Sequence, residues 1–383
     1  ETKKEQDKRK EMSEKGETPP ASTAERIAEA GAIEPLVHLL SGEKGPEAQE
    51  EAAGALTALA IYASNRVAIS EFGGIGPLVV LLGSPNAKTR EHAELALVRL
   101  SIEPATRVLI IEQLVSMLAD DSHTAAQEQA AGALANLARE SIENRTSILK
   151  ADGIPWLLNL LHSTSRKAKE NSARAISHLA YKSKENQIAI ADAGGIAKLV
   201  GTLISASANV KEVSNMKLCT LVVEGIWNMA DGNRDNQTAL LKEGCIPAIV
   251  SILNSPEHQM QTNAAGALSS LSRGHPENQA AIARSGALAP LCTMVRDAPT
   301  PETREESAGA LWSMAHENAA NKATIAKLGG IEPLVSMLMF ASTDNSCVKL
   351  GGALATLSTK HNENRLLIVK RFVHVLSCKV PHE

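Results

Sequence analysis

The chain has 383 residues, carries 39 Lys+Arg against 43 Asp+Glu, and is 44% apolar with only 2% aromatic. That length is well beyond the ~150 residues of one compact domain, so it implies several domains or one repetitive structure. The near-balanced charge excludes a general polyanion binder, scattered aromatics exclude a base-stacking platform, and no apolar run reaches the ~18 residues of a membrane span. A core built from Leu, Ile, Val and Ala suits packed helices.

The N-terminal segment interleaves acidic and basic residues and ends at Pro19-Pro20, which predicts a charged, disordered tail over 1–24. From there three strings share one period. The first begins as Gly31-Ala32-Ile33-Glu34-Pro35 and returns as Gly73-Gly74-Ile75-Gly76-Pro77, Gly194-Gly195-Ile196, Gly244-Cys245-Ile246-Pro247, Gly286-Ala287-Leu288-Ala289-Pro290 and Gly329-Gly330-Ile331-Glu332-Pro333. The second is Ala53-Gly54-Ala55-Leu56, repeated at Ala131-Gly132-Ala133-Leu134, Ala265-Gly266-Ala267-Leu268, Ala308-Gly309-Ala310-Leu311 and Gly351-Gly352-Ala353-Leu354. The third is Asn followed four residues later by Ile or Leu, as in Asn65/Ile69, Asn144/Ile148, Asn278/Ile282 and Asn364/Ile368.

Each string predicts a helix boundary. Asn is a good N-cap, so Asn-x-x-x-Ile is expected to open a short helix that glycine ends at a left-handed C′ position. Proline fits the first turn of a second short helix. A polar stretch and a longer third helix follow. Gly54 and its counterparts sit inside that third helix at a cost of about 1 kcal/mol relative to Ala, which predicts close approach of another backbone. The third repeat lacks the glycine string, and its first two helices are expected to fuse. The fifth has an additional polar stretch, Ser205–Met216, read as a surface insertion. The end of the chain reads as a polar cap or the start of a ninth repeat.

Three helices per ~42 residues with these strings resemble the armadillo repeat. The resemblance implies an all-α fold, an α-solenoid forming a right-handed superhelix of about eight three-helix repeats. The repeats are placed at about 25–65, 66–104, 105–143, 144–185, 186–235, 236–277, 278–320 and 321–363, with the start of a ninth at 364–376 and a tail at 377–383.

No His-Glu-x-x-His, Walker or Gly-x-Ser-x-Gly string occurs, and the cysteines form no C-x-x-C pair. No enzyme activity, cofactor or metal is expected. Reduced thiols point to an intracellular, reducing compartment, the cytoplasm first, or an organelle if the start of the chain is processed. The sequons at Asn144 and Asn236 fall on the repeat's own Asn position and are not expected to carry glycans.

By resemblance, third helices line a groove that takes an extended peptide. Importin-α-like grooves carry Trp four residues before Asn. Here the Trp-equivalent positions include Gly54, Arg174 and Glu224, and none is Trp. The Asn-equivalent positions include Arg99, Asn136, His178 and Asn228, and only two are Asn. A nuclear-import array is therefore not expected. One turn earlier stand Glu50, Glu91, Glu128, Glu170 and Glu305. Read as an unpaired row, these carboxylates predict an extended, net basic partner segment and no nucleic acid. Their alternative role is to complement helix dipoles. Trp227 and Trp312 are expected to be partly in the core. The leading reading is a protein-interaction scaffold or adaptor. The alternatives are a structural subunit of an assembly, or the substrate-recognition part of a ubiquitin ligase.

Overall fold

The computed structural model describes residues 22–120, 124–208, 213–341 and 343–377. The N-terminal tail, the last residues and the middle of the Ser205–Met216 stretch thus lie largely outside the described residues. Twenty-four helices and no strand occur among the described residues. They read as triplets: α1 (Thr23–Glu29), α2 (Ile33–Leu39), α3 (Pro46–Leu59); then α4 (Ala63–Glu71), α5 (Ile75–Leu81), α6 (Ala87–Leu100). The third repeat has only α7 (Pro104–Leu118) and α8 (Thr124–Glu140), so its first two helices are fused as expected. Triplets resume with α9 (Ile142–Lys150), α10 (Gly153–Leu160), α11 (Arg166–Ala180); α12 (Lys184–Asp192), α13 (Gly195–Ser207), α14 (Val213–Ala230); and α15 (Arg234–Lys242), α16 (Cys245–Ile252), α17 (His258–Ser272). The last are α18 (Pro276–Arg284), α19 (Leu288–Asp297), α20 (Pro301–Ala315) and α21 (Ala319–Lys327), α22 (Ile331–Leu338), α23 (Asp344–Ser358), followed by a single long α24 (Asn362–Ser377).

The helices group into two compact units. One runs up to Leu157 and includes Thr164–Ala175; the other takes Leu158–Ser163 and everything from Ile176 onward.

The glycine string works through two different effects. The first glycine of each pair adopts positive φ, as Gly73 does at 77° and Gly329 at 74°, which reverses the chain after the first helix. In the fourth repeat Asp152 takes this role at φ 53°. The second glycine leaves room for the isoleucine of the Asn string. A Cβ on Gly74 would stand 2.8 Å from Ile69 Cγ2, and one on Gly195 2.5 Å from Ile190 Cγ2. The isoleucines are fully buried, so motif-bearing positions far apart in the string form one packing unit.

The Asn of that string is not the N-cap. Ser141, Ser183, Asn233, His275 and Asn318 cap these helices, three residues earlier. The motif Asn instead lies at the third helical position, buried, and donates backwards to the preceding third helix. Asn144 Nδ2 reaches Leu137 O at 2.9 Å, Asn236 reaches Met229 O at 3.0 Å, and Asn278 reaches Leu271 O at 2.8 Å. These carbonyls belong to the last turn, which has no intrahelical donor. Burial of Asn144 and Asn236 also explains both sequons as structural positions.

The next residue extends the same device forward. Gln187 Nε2 donates to Asn228 O at 2.7 Å, Gln237 Nε2 to Ser270 O at 2.9 Å, and Gln279 Nε2 to Ser313 O at 2.9 Å. In the second repeat this position is Arg66, which donates to Ile61 O and pairs with Glu103 at 2.7 Å. Amide side chains thus fasten consecutive third helices together.

The described parts of the fifth repeat's extra stretch are helical: Ser205 and Ser207 lie at the end of α13 and Met216 at the start of α14, with Ala206 buried and Ser205 and Ala208 exposed. Of the two readings of the chain's end, α24 agrees with the start of a ninth repeat: it has the form of a fused opening helix, like α7, and carries exposed apolar residues.

Candidate functional site

The third helices contact one another through their N-terminal turns. Glu50 accepts from Asn86 Nδ2 at 2.6 Å and lies 3.6 Å from Lys88 Nζ. Asn86 is the N-cap of the next third helix, α6. Glu128 accepts from Ser165, whose hydroxyl in turn takes the Ala168 N–H at the start of α11. Glu305 accepts from Ser346 and Asn345 in the first turn of α23. Glu170 is buried and accepts from Arg166 Nε at 2.9 Å. The row of unpaired carboxylates is therefore corrected: four of the five are drawn into hydrogen bonds, three of them across to the next repeat. Glu91 alone of the five is exposed with no hydrogen bond or ion pair among the described residues.

A companion contact follows one residue later. His92 Nδ1 lies 3.2 Å from Glu50 O, Asn171 Nδ2 donates to Glu128 O at 2.8 Å, and Asn263 Nδ2 donates to Thr220 O at 3.0 Å. These side chains explain the helical glycines. A Cβ on Gly54 would stand 3.1 Å from the His92 ring, and one on Gly132 3.1 Å from the Asn171 amide. What approaches these glycines is thus a neighbour's side chain rather than a backbone.

The remaining expected residues divide by how far they are already committed. Arg99 donates to Thr57 O, and Arg174 Nη2 to Asn171 Oδ1 at 2.9 Å. Asn228 Nδ2 is held by Ser177 O and Oγ, both at 3.0 Å. Asn136 and Glu224 are half-buried and have no side-chain partner among the described residues; His178 is half-buried. Glu94, one turn on from Glu91, has its pKa pushed up by burial and by the Glu91 charge, against the opposing pull of Arg174 and Arg139.

In the second unit the third helices line a cleft of about 1180 Å³. Trp227 and Trp312 stand half-buried along it, each seated on a glycine of the next repeat. A Cβ on Gly266 would lie 2.5 Å from the Trp227 ring, and one on Gly352 2.7 Å from Trp312. Ser269 occupies the same position between them and bonds to Ser313 at 3.1 Å. Tyr181 with Lys182 5.0 Å over its ring stands among the lining residues. Most charges in the cleft are already neutralised: Arg273 pairs with Asp231 at 3.3 Å and Lys349 with Glu306 at 2.5 Å. Glu224 is left free. The half-burial of Trp227 and Trp312 agrees with the expectation that they lie partly in the core; their seats on glycines of the next repeat were not legible. The available signal was the Trp–Ser–Trp alternation at one position of consecutive repeats.

The buried thiols offer no nucleophile. Desolvation pushes Cys219 up to about 11, and Cys245 and Cys292 up to about 12. Among the described residues no single helix is long and apolar enough to cross a membrane.

Comparison with known proteins agrees with this geometry. Residues 23–61, 141–181, 233–273 and 275–316 match the Armadillo/beta-catenin-like repeat family. A 145-residue stretch is 32% identical to human Armadillo repeat-containing protein 3, covering 37% of this chain and 16% of that protein. A 76-residue stretch is 47% identical to the U-box domain-containing protein 13 of Arabidopsis thaliana, covering 20% of this chain and 11% of that protein. The chain thus spans a small part of either curated relative. The crystal structure of an engineered protein is similar with a TM-score of 0.71 and 29% identity, over 94% of this chain and 86% of that one. With the triplets, staples and glycine turns described above, these matches identify the chain as an armadillo repeat protein.

Proposed function

We propose that the chain is a non-enzymatic protein-interaction scaffold that holds an extended segment of a partner protein against its third helices. The single observation carrying this reading is the cleft of the second unit. It combines two glycine-seated indoles, a tyrosine and one uncommitted carboxylate, Glu224. Half-buried aromatic shelves flanked by polar groups are what binding hot spots are made of. Armadillo folds are typically protein-binding scaffolds, which supports the same assignment.

The partner segment is assigned a net basic character. Glu91 in the first unit and Glu224 in the second are acidic groups on these helices that form no ion pair among the described residues. A lysine or arginine of the partner fits there, and attraction of that kind weakens with salt. A positional-scanning library of extended dodecapeptides tests the reading. Lys/Arg-bearing peptides should be selected. Glu224→Lys should lower their affinity at least tenfold, about 1.4 kcal/mol, with unchanged helicity. Trp227→Ala and Trp312→Ala should lower affinity irrespective of peptide charge. Binding indifferent to all three changes refutes the groove assignment.

A second reading, the recognition part of a ubiquitin ligase, is favoured by the match to a U-box domain-containing protein. It concerns what the scaffold is attached to, and leaves the surface unchanged.

A further inference from the structure

In four repeats one side chain near the start of the third helix closes the end of the second. Seven residues before Leu56, Leu97, Leu134 and Leu268 stand Gln49, Arg90, Gln127 and Gln261. Gln49 Nε2 donates to Leu40 O at 2.9 Å, Gln127 Nε2 to Leu118 O at 2.9 Å, and Gln261 Nε2 to Leu253 O at 3.1 Å. These carbonyls stand at helix ends, where no intrahelical donor reaches them. Arg90 Nη1 reaches the turn just beyond, at Ser84 O (2.6 Å) and Pro85 O (2.9 Å). In the seventh repeat the position is Arg304, seven residues before Leu311. There α19 runs on to Asp297, two residues past Val295, the counterpart of Leu40. The Arg304 side chain has no hydrogen bond or ion pair among the described residues, and its Nε is buried without a partner.

Arg304 lines a cavity of about 620 Å³ between the seventh and eighth repeats, walled by α19, α20, α22 and α23. These helices lie inside the array: α24 follows them, and its Arg371 pairs with Glu332 on the cavity wall. Val295, Pro333 and Leu350 are buried around the cavity and Met337 is half-buried. Three of the four charged lining residues are committed. Arg296 pairs with Asp297 at 2.9 Å, Glu332 with Arg371, and Glu305 accepts from Ser346 and Asn345. Arg304 is the fourth. A buried donor left unpaired is costly until an acceptor meets it.

We propose that this cavity receives an apolar side chain and the adjacent carboxylate of a partner protein's segment. The carboxylate pairs with Arg304, whose planar fork offers it parallel N–H donors. The apolar side chain enters among Val295, Pro333, Met337 and Leu350, and the volume suits a site that buries a whole ligand group. Glu305 is held by its own two donors and leaves Arg304 to the ligand. Phe340 favours a chain over a free small carboxylate. It lines the cavity with 70% of its surface exposed. A small molecule held inside leaves that ring in water, whereas a chain crossing the rim covers it. No residue that lines the aromatic cleft lines this cavity. The segment taken here is acidic and apolar where that of the cleft is basic, so this site does not depend on the groove reading.

The probes are fluorescently labelled octapeptide pools with a fixed central pair, Leu, Met or Phe followed by Asp or Glu, titrated with the full chain. At least one pool should bind saturably below ~1 mM. The same pool with Asn or Gln in place of the acid should bind at least tenfold more weakly, which tests the pairing on the unaltered protein. Arg304→Gln installs the residue that three other repeats carry here, so helicity and melting temperature should hold while affinity for the acidic pool falls at least tenfold. For the amide pool the variant and the wild type should bind alike, because both changes remove one and the same interaction. Phe340→Ala should weaken binding of either pool. Absence of saturable binding up to ~1 mM overturns the proposal, as does acidic-pool binding that ignores Arg304→Gln or Phe340→Ala. Octanoate gives the remaining arm. Octanoate binding that Arg304→Gln abolishes, with no peptide bound, assigns the cavity to a small carboxylate and overturns the partner segment.

Discussion

Replacing Asn278 by alanine examines the staple between repeats directly. Its side chain is fully buried and donates to Leu271 O at 2.8 Å and Gln237 O at 3.2 Å. Alanine strands the last-turn Leu271 carbonyl at about 1–3 kcal/mol and loses the second bond, to a Gln237 carbonyl that lies inside its own helix and keeps a backbone donor, at about 1 kcal/mol, while removing an Oδ1 that is itself buried without a partner. The expected net loss is about 2–4 kcal/mol, or a fall of about 5–15 °C in the melting temperature of a unit this size. Asn136→Ala is the matched control. It removes the same group from a half-buried position with no internal hydrogen bond, so its effect should stay below about 0.5 kcal/mol. Urea midpoints and thermal melts of both variants, followed by circular dichroism, measure the difference. Equal shifts, or a loss under about 1 kcal/mol at Asn278, would refute the view that this asparagine is a helix C-terminal staple. Asn278→Asp cannot donate at either site and should be at least as damaging.

The helical glycines should separate by what faces them. Gly309→Ala meets nothing closer than Lys349 Cδ at 3.5 Å, an ordinary van der Waals contact, and should gain up to about 1 kcal/mol of helix propensity; Gly266→Ala displaces the Trp227 ring, so thermal melts should show a loss and tryptophan emission a red shift. Cys347 is exposed while Cys219, Cys245 and Cys292 are buried, so peptide mapping after a brief thiol-label pulse should find Cys347 modified and the other three protected until denaturant is added. Burial raises the folded-state pKa of Glu94, so its favourable contribution is present below the ordinary glutamate value and is lost as pH rises through the raised one. Glu94→Gln should therefore match the wild type in acid and become the more stable protein towards neutrality, as read from urea midpoints across pH; a constant gap would exclude Glu94 as the titrating group.

The repeat period, the triplets and the fused helix of the third repeat were legible because each depends on local chemistry. Glycine at positive φ and proline in a first turn act within a few residues. The partners of long-range polar groups were not. Asn144 looks like an N-cap from its neighbours alone, because a carbonyl in the preceding helix leaves no mark beside it. Glu50 and Glu128 look like a free acidic row until the N-terminus of the next third helix is set against them. Trp227 was visible as a residue, but its seat on Gly266 joins positions 39 residues apart, with nothing in either string to announce the other. The stretch after Ser205 reads as polar, yet its described ends continue two helices, since composition alone does not separate a loop from a solvated helix face.

The glutamine staples bear on how the protein responds to ionic strength. Gln187, Gln237 and Gln279 couple the repeats of the second unit through neutral amides, whereas Arg66 in the first unit relies partly on its pairing with Glu103. Added salt screens the second kind of contact and leaves the first largely untouched. The amide staples beneath the aromatic cleft therefore hold across buffers, while the pairs that join the same helices at its surface, Arg273–Asp231 above all, are what salt reaches. A ligand whose affinity there changes with salt is reporting its charges against Glu224, Lys182 and these pairs, and not a loosening of the amide staples.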